Sequence, residues 1–331
     1  MPAGVLQPVI RRRRSRLSYR AAGAIVAAVL AGGGAAYAVL PRADHRAAAD
    51  RSPREAHRAK PHPARAKPPR RHRLPISLVG PAVSKRDFHP PVAARAAIVV
   101  DARSGRVLWA FHAHRRLPIA STTKIMTAFV ALQRLRLNSI VKVDPSVVRV
   151  PLVKEGLRPH ERVRAWKLLD GLLMYSGNDD AVALAVATAG SRGGFVRRMN
   201  QTARELRLSS THFSTPSGVI DAANYSTAWD LATLTRAALR DWRFRRIVRT
   251  RIAHVPWSAP TYEKVYVNKN ALLGRYRGAD GVKTGWTTVA GHCLVASATR
   301  RGRTIIVVVL HDANVYGDAR RLLNLGFATR A

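Results

Sequence analysis

Three short polar signatures follow one another along the chain: Ser121-Thr122-Thr123-Lys124, then Ser176-Gly177-Asn178, then Lys283-Thr284-Gly285. Each lies in a different local pattern. Ser121 is followed by Ile125, Met126, Ala128, Phe129, Val130 and Leu132, an apolar run of helical length. Ser121 and Lys124 therefore fall one turn apart on one helix face. Ser176-Gly177-Asn178 falls between two helical patterns, Ala165 to Met174 and Asp180 to Ala189, and reads as a loop that can carry polar side chains into a cleft. Lys283-Thr284-Gly285 belongs to an extended stretch, Ala279 to Thr287, followed by the strand patterns Cys293 to Ala298 and Thr304 to Leu310. A fold that brings the three together must set an early helix and an interhelical loop against a strand near the end of the chain.

The chain contains its own control, a second S-x-x-K match at Ser139-Ile140-Val141-Lys142. Those residues have a strand pattern, in which positions three apart point to opposite faces, so that Ser and Lys cannot meet. The first match differs in chemistry as well as geometry. A Ser hydroxyl becomes a nucleophile when a neighbouring base takes its proton, and a Lys is such a base only when desolvation or a nearby cation lowers its pKa. Lys124 is the sole charge between Pro118 and Gln133. Its apolar helix supplies the desolvation, and Lys283 would supply the second cation if it converges on the same pocket. Lys283 with the Thr284 hydroxyl suits a carboxylate, and Gly285 lets a substrate backbone approach the strand closely.

The set resembles the active-site motifs of the serine penicillin-recognising enzymes, and the wider pattern narrows the resemblance. The chain also carries Asp179 after Asn178, Phe195 with Met199-Asn200, Thr211-His212-Phe213, Pro216-Ser217-Gly218, Ser226-Thr227-Ala228, Asn268-Lys269-Asn270-Ala271-Leu272-Leu273, Gly281-Val282 before Lys283, Trp286-Thr287, and Ala290-Gly291. From roughly Ala93 to Ala331 it is similar to the D-alanyl-D-alanine carboxypeptidases, the low-molecular-mass penicillin-binding proteins of the S11 serine peptidase type.

This resemblance implies catalytic roles for Ser121, Lys124, Ser176 and Asn178, and substrate binding by Lys283, Thr284, Gly285 and Trp286. The backbone N–H groups of Ser121 and Trp286 would form the oxyanion hole. The implied reaction removes the terminal D-alanine from peptidoglycan stem pentapeptides through an acyl-enzyme, with β-lactam antibiotics as covalent inhibitors. Two departures stand out. The family often carries an Arg after the last strand, whereas His311 to Tyr316 has none and Arg320 is the nearest. The chain also stops at Ala331, just after a helical pattern from Asp318 to Phe327, so the C-terminal β-rich domain and membrane-binding tail of many relatives are expected to be lacking.

Alternatives of the same fold are a serine β-lactamase and a peptidoglycan endopeptidase; a non-catalytic wall-binding module is a further one. A class A β-lactamase needs a Glu to activate the deacylating water. Here the closest string, Glu205-Leu206-Arg207-Leu208-Ser209, continues a helical pattern from Phe195, and Gly177 replaces the Asp of the β-lactamase triad.

The expected fold is α+β, β-lactamase/transpeptidase-like. Early strands at Ala97 to Asp101 and Arg106 to Phe111 join the last strands in one antiparallel sheet of about five, flanked by helices. This serine carboxypeptidase domain, 91–331, is preceded by three other segments. Residues 1–20 hold six Arg and no acid, 21–40 are uncharged, and together they read as a cytoplasmic basic segment and a membrane anchor or signal peptide with Ala36-Tyr37-Ala38 as a cleavage site. Residues 41–90, with 13 Lys and Arg against 4 acids and nine Pro, read as a disordered spacer.

The chain carries a net charge of +38. Basic clusters suit nucleic acid, but no binding motif appears and the aromatics follow core periodicity instead of interleaving with the basic runs. The expected partner of the spacer is therefore the anionic cell envelope. Cys293, the only cysteine, reads as core. No cofactor and no metal is expected: His112 and His114 would share a strand face, but no third ligand has matching spacing.

Overall fold

A computed structural model describes residues 76–81, 91–151, 153–219 and 223–329. The basic segment 1–20, the apolar stretch 21–40 and the first part of the spacer lie outside the described residues. Strands β1 (Val79–Pro81), β2 (Ala96–Asp101) and β3 (Arg106–Phe111) come first, and β4 (Leu117–Pro118) leads into a 3-10 turn, Ala120–Thr123. Helix α1 (Lys124–Arg134) follows, then β5 (Ile140–Lys142), β6 (Arg162–Arg164) and α2 (Ala165–Asp170). Helices α3 (Asn178–Ala189) and α4 (Arg192–Glu205), strand β7 (Tyr225–Ser226), and helices α5 (Ala228–Ala238) and α6 (Trp242–Arg249) complete the middle. The chain closes with β8 (Ile252–Pro256), β9 (Glu263–Val267), β10 (Ala279–Thr287), β11 (Gly291–Arg300), β12 (Arg303–Asp312) and α7 (Val315–Ala328). No helix among the described residues is long and apolar enough to cross a membrane.

The principal sheet has the order β1-β3-β2-β12-β11-β10. The early hairpin and the late meander join where β12 pairs antiparallel with β2, from Ile305 opposite Asp101 to Leu310 opposite Ala96. Five strands are antiparallel, as expected; the sixth, β1, runs parallel to β3 and comes from the stretch read as spacer. Its backbone finds partners there, since Val79 N–H donates to Gly105 O and the Arg236 guanidinium donates to the carbonyls of Ile76 and Ser77. These partners are distant in sequence, so local composition gives no sign of them.

Side-chain alternation splits the core into two layers. Ile98, Val100, Ile306 and Val308 pack toward α1, α3 and α5, while Ala97, Val99, Val307 and Val309 pack toward Ala319, Leu322 and Leu323 of α7. Cover on both faces is why β12 reads as a nearly uninterrupted β-branched run. Cys293 lies buried in β11, and burial pushes its thiol up to about 12. His112 and His114 do not share a strand face: β3 ends at Phe111 and His112 turns the chain with φ of 43°.

Candidate active site

The site is built where the 3-10 turn feeding α1 meets β10, the last strand in the order of the sheet. Ser121 lies in that turn and Lys124 opens the α-helix. In 3-10 geometry side chains three apart eclipse, so the pair stacks more closely than α-helical spacing alone would give. Ala120, just before the Ser, has φ of 45°. A non-glycine residue in this region is strained, and the surrounding contacts must hold it there. β10 presses against this turn: a Cβ on Gly285 would lie 3.0 Å from Ser121 N and 3.0 Å from Ile119 O. Any larger residue at 285 would push the strand and the Ser121 turn apart.

Lys124 is fully buried, and its Nζ reaches three oxygens: Ser121 Oγ at 2.9 Å, Asn178 Oδ1 at 2.7 Å and the Ser217 carbonyl at 2.9 Å. Two of the three can only accept. A neutral amine has two N–H bonds, which Asn178 and Ser217 consume, and so its lone pair is left facing the Ser121 hydroxyl. The neutral state is accessible, because burial and then the charge of Lys269 lower the Lys124 amine to about 7, against the opposing pull of Asp180 and Asp179. Ser217 is brought in by the loop that ends at Gly218 (φ of 74°), where a Cβ would strike Ala120 O at 2.0 Å.

Asn178 is oriented as strictly as Lys124. Its Nδ2 donates to Pro151 O at 3.1 Å, which leaves Oδ1 toward the lysine, and its backbone N–H donates to Val153 O at 2.8 Å. The segment supplying those carbonyls is held by the next residue in the motif. Asp179 accepts from the backbone N–H groups of Glu155, Gly156 and Leu157 at 2.9, 2.8 and 3.0 Å. Ser176 takes φ of 75° at the end of a π-type turn, Gly171–Tyr175, that follows α2, and the residue is buried. Gly177 has no room for a side chain, since a Cβ there would sit 2.0 Å from Asp180 Oδ2. Behind it, the fully buried Asp180 carboxyl is pushed well above the usual range by burial and by Glu155, whose other oxygen accepts from Lys264 Nζ at 2.7 Å and Tyr266 OH at 2.5 Å.

Lys283 is buried, and burial followed by the charges of Lys124 and Lys269 holds its amine well below the ordinary value. Its Nζ donates to Thr284 O at 2.9 Å. Thr284 is half-buried beside it, and Trp286 stands 60% exposed at the rim. Of the eight residues singled out from the sequence, hydrogen bonds join Ser121, Lys124 and Asn178, and Gly285 packs against the Ser121 turn; Ser176 precedes Asn178 by two residues, and Lys283, Thr284 and Trp286 flank Gly285 on β10. The structure adds a third lysine that the sequence reading gave no role. Lys269 lies over the Tyr175 ring, Nζ 4.9 Å from the centroid, with its backbone tied to Met174 O and Tyr316 OH. Arg320 is exposed on α7, which covers the opposite face of the sheet, so Lys269 is the additional cation beside Lys124 and Lys283. Glu205 is exposed at the end of α4 and receives a bond from Gln201, one helical turn away.

This geometry has known counterparts. Residues 83–314 match the S11 peptidase family, described as D-alanyl-D-alanine carboxypeptidase. The chain is 37% identical over 239 residues to D-alanyl-D-alanine carboxypeptidase DacB2 of Mycobacterium tuberculosis, covering 70% of this chain and 81% of that protein. The chain belongs to the D-alanyl-D-alanine carboxypeptidase family. The carboxypeptidase DacC of Escherichia coli is 36% identical, over 72% of this chain and 62% of its own length. The crystal structure of the Streptomyces K15 DD-transpeptidase superposes with a TM-score of 0.69 at 34% identity, covering 73% of this chain and all of that one. The protein is thus a serine hydrolase of the penicillin-binding type, and the β-lactamase/transpeptidase-like α+β fold expected from its sequence is the one it has.

Proposed function

We propose that this carboxypeptidase cleaves the terminal D-alanyl-D-alanine bond of peptidoglycan stem pentapeptides with Ser121 as nucleophile and Lys124 as its general base. Lys124 Nζ takes the proton as Ser121 Oγ attacks the carbonyl carbon of the penultimate D-alanine. The resulting oxyanion accepts from the backbone N–H groups of Ser121 and Trp286. The C–N bond breaks, and the proton passes by way of the Ser176 hydroxyl to the departing amine, releasing D-alanine. Water then attacks the Ser121 ester, giving up its proton as the ester oxygen regains one. Lys283 and Thr284 hold the free carboxylate of the substrate, and Asn178 orients Lys124 and the peptide.

The observation that supports this reading best is the contact set of Lys124: a buried amine lowered to about 7, with two obligate acceptors and one hydroxyl. A β-lactam presents the same acyl group and carboxylate, and acylates the same Ser. Slow release of that adduct follows from Glu205 lying exposed at the end of a regular helix.

The substrate is outside the cytoplasm, and segment 21–40 exports the domain as an anchor or a cleaved signal, with the basic spacer attracted to the anionic envelope. The test is product analysis on defined peptides. Release of D-alanine from a pentapeptide in water, faster than cleavage of a cross-linked dimer or transfer to an added amine, supports the carboxypeptidase. Cross-link cleavage as the faster reaction overturns it in favour of an endopeptidase. The N-terminus of the cellular protein distinguishes anchor from signal: a start at Val39 means cleavage.

A further inference from the structure

Away from the lysine cluster, at the other end of the sheet, the β2–β3 and β11–β12 turns meet the end of α5 and the outer side of α6. They enclose a cavity of about 350 Å³ whose lining includes Arg103, Arg236, Arg240, Arg245 and Arg249. The one carboxylate among the described lining residues, Asp280, accepts from the hydroxyls of Ser297 and Thr299. Among the described residues, Arg103, Arg236, Arg245 and Arg249 form no ion pair with a carboxylate.

Arg236 is buried and rigidly held. Its guanidinium donates to the carbonyls of Ile76, Ser77, Ala102 and Arg103, so dipoles satisfy its N–H groups while its charge remains. Burial, and then the neighbouring Arg240, disfavour that charge, while Asp101 favours it. Arg245 is fixed by donation to Leu239 O at 2.6 Å, and Arg249 lies one turn further along α6.

We propose that this arginine-lined cavity is a binding site for a phosphate-bearing anion, separate from the peptide site. Guanidinium forks match phosphate oxygens in pairs, and several clustered cations favour a multiply charged ligand over a single carboxylate. The position suggests two sources of the same chemistry. Residues 76 and 77, which lead from the N-terminal segments, are clamped at this cavity by Arg236. A lipid headgroup and a soluble phosphate ester both carry this chemistry.

The test titrates the full chain with pyrophosphate at low ionic strength, by calorimetry and by 31P line broadening. Arg245→Ala/Arg249→Ala should weaken binding by about tenfold or more. An equal charge change on α4, Arg197→Ala/Arg204→Ala, should leave it unchanged. Hydrogen exchange provides a location independent of any variant, with bound pyrophosphate protecting 102–104 and 299–304 but not α4. Unaltered penicillin acylation certifies that the variants fold.

No binding at millimolar pyrophosphate, or equal weakening in both double variants, overturns the proposal in favour of diffuse surface charge. Vesicles separate the sources. Sedimentation with phosphatidylglycerol but not phosphatidylcholine, reduced in Arg245→Ala/Arg249→Ala, assigns the lipid headgroup. Variant-sensitive pyrophosphate binding with unchanged sedimentation assigns a soluble phosphate, the basic N-terminal segments then accounting for the vesicles.

Discussion

Replacing Asn178 by Asp keeps the side-chain shape, places a negative charge beside the proposed general base and removes the Nδ2 donor to Pro151 O. Asn178 Oδ1 lies 2.7 Å from Lys124 Nζ, so the substitution sets a carboxylate oxygen against an amine that burial and Lys269 hold at about 7. At an effective dielectric of about 20, two unit charges at that separation attract by roughly 6 kcal/mol. Desolvation of the new carboxylate takes back part of this, and ion pairs of this kind move a pKa by about 1–3 units. The sign is upward for Lys124, because the pair favours the ammonium. With a shift of about 2 units, the neutral fraction at pH 7 falls from about one half to about one hundredth. Stopped-flow acylation by a fluorescent penicillin, followed from pH 5 to 10, reads this directly. The parent should lose activity as pH falls through about 7; Asn178→Asp should be about fiftyfold slower at pH 7 and recover with a midpoint near 9. A variant that slows equally at every pH, its midpoint still near 7, would refute Lys124 as the titrating base.

Three further outcomes follow from the same geometry. Asp179→Asn removes one of the two acceptors that hold residues 155–157, at about 2–4 kcal/mol, and should lower Tm by roughly 5–15 °C and slow acylation; an unchanged Tm contradicts that role. Asp170 is raised to about 6, chiefly by burial, with Arg246 lowering and Glu155 raising it. Because folding raises this pKa, its stabilising contribution is complete below about pH 4 and lost as pH rises through about 6. Asp170→Asn should then match the parent in urea unfolding near pH 3.5 and exceed it by up to about 3 kcal/mol at pH 8; equal curves at pH 8 would refute the burial penalty. Glu205→Ala should leave nitrocefin hydrolysis slow and unchanged, whereas rapid hydrolysis abolished by the variant would return the β-lactamase reading.

Much of the site was legible because its chemistry sits in local patterns. The apolar run after Ser121 announced a helix, and β10 spans Ala279–Thr287 as the extended pattern suggested. Helix α7, expected over Asp318 to Phe327, begins three residues earlier at Val315. What escaped depends on contacts between distant segments. Ser217 acts through a backbone carbonyl, which no side-chain pattern signals. Lys269 is one of 57 Lys and Arg residues, and only the closure of its loop over Tyr175 sets it apart. The Asp179 contacts to 155–157 cross more than twenty residues, and β1 exists because the β3 edge and Arg236 accept a segment whose composition reads as spacer. The strain at Ala120 likewise belongs to tertiary packing, since alanine carries no local preference for positive φ.

The most direct test of Ser121 as the acylated residue is mass spectrometry of the protein after brief incubation with penicillin, followed by peptide mapping. One penicilloyl group should appear on the peptide containing Ser121, and Ser121→Ala should lose both the adduct and release of D-alanine from a pentapeptide. An adduct on any other residue, or D-alanine release that survives in Ser121→Ala, would contradict the assignment.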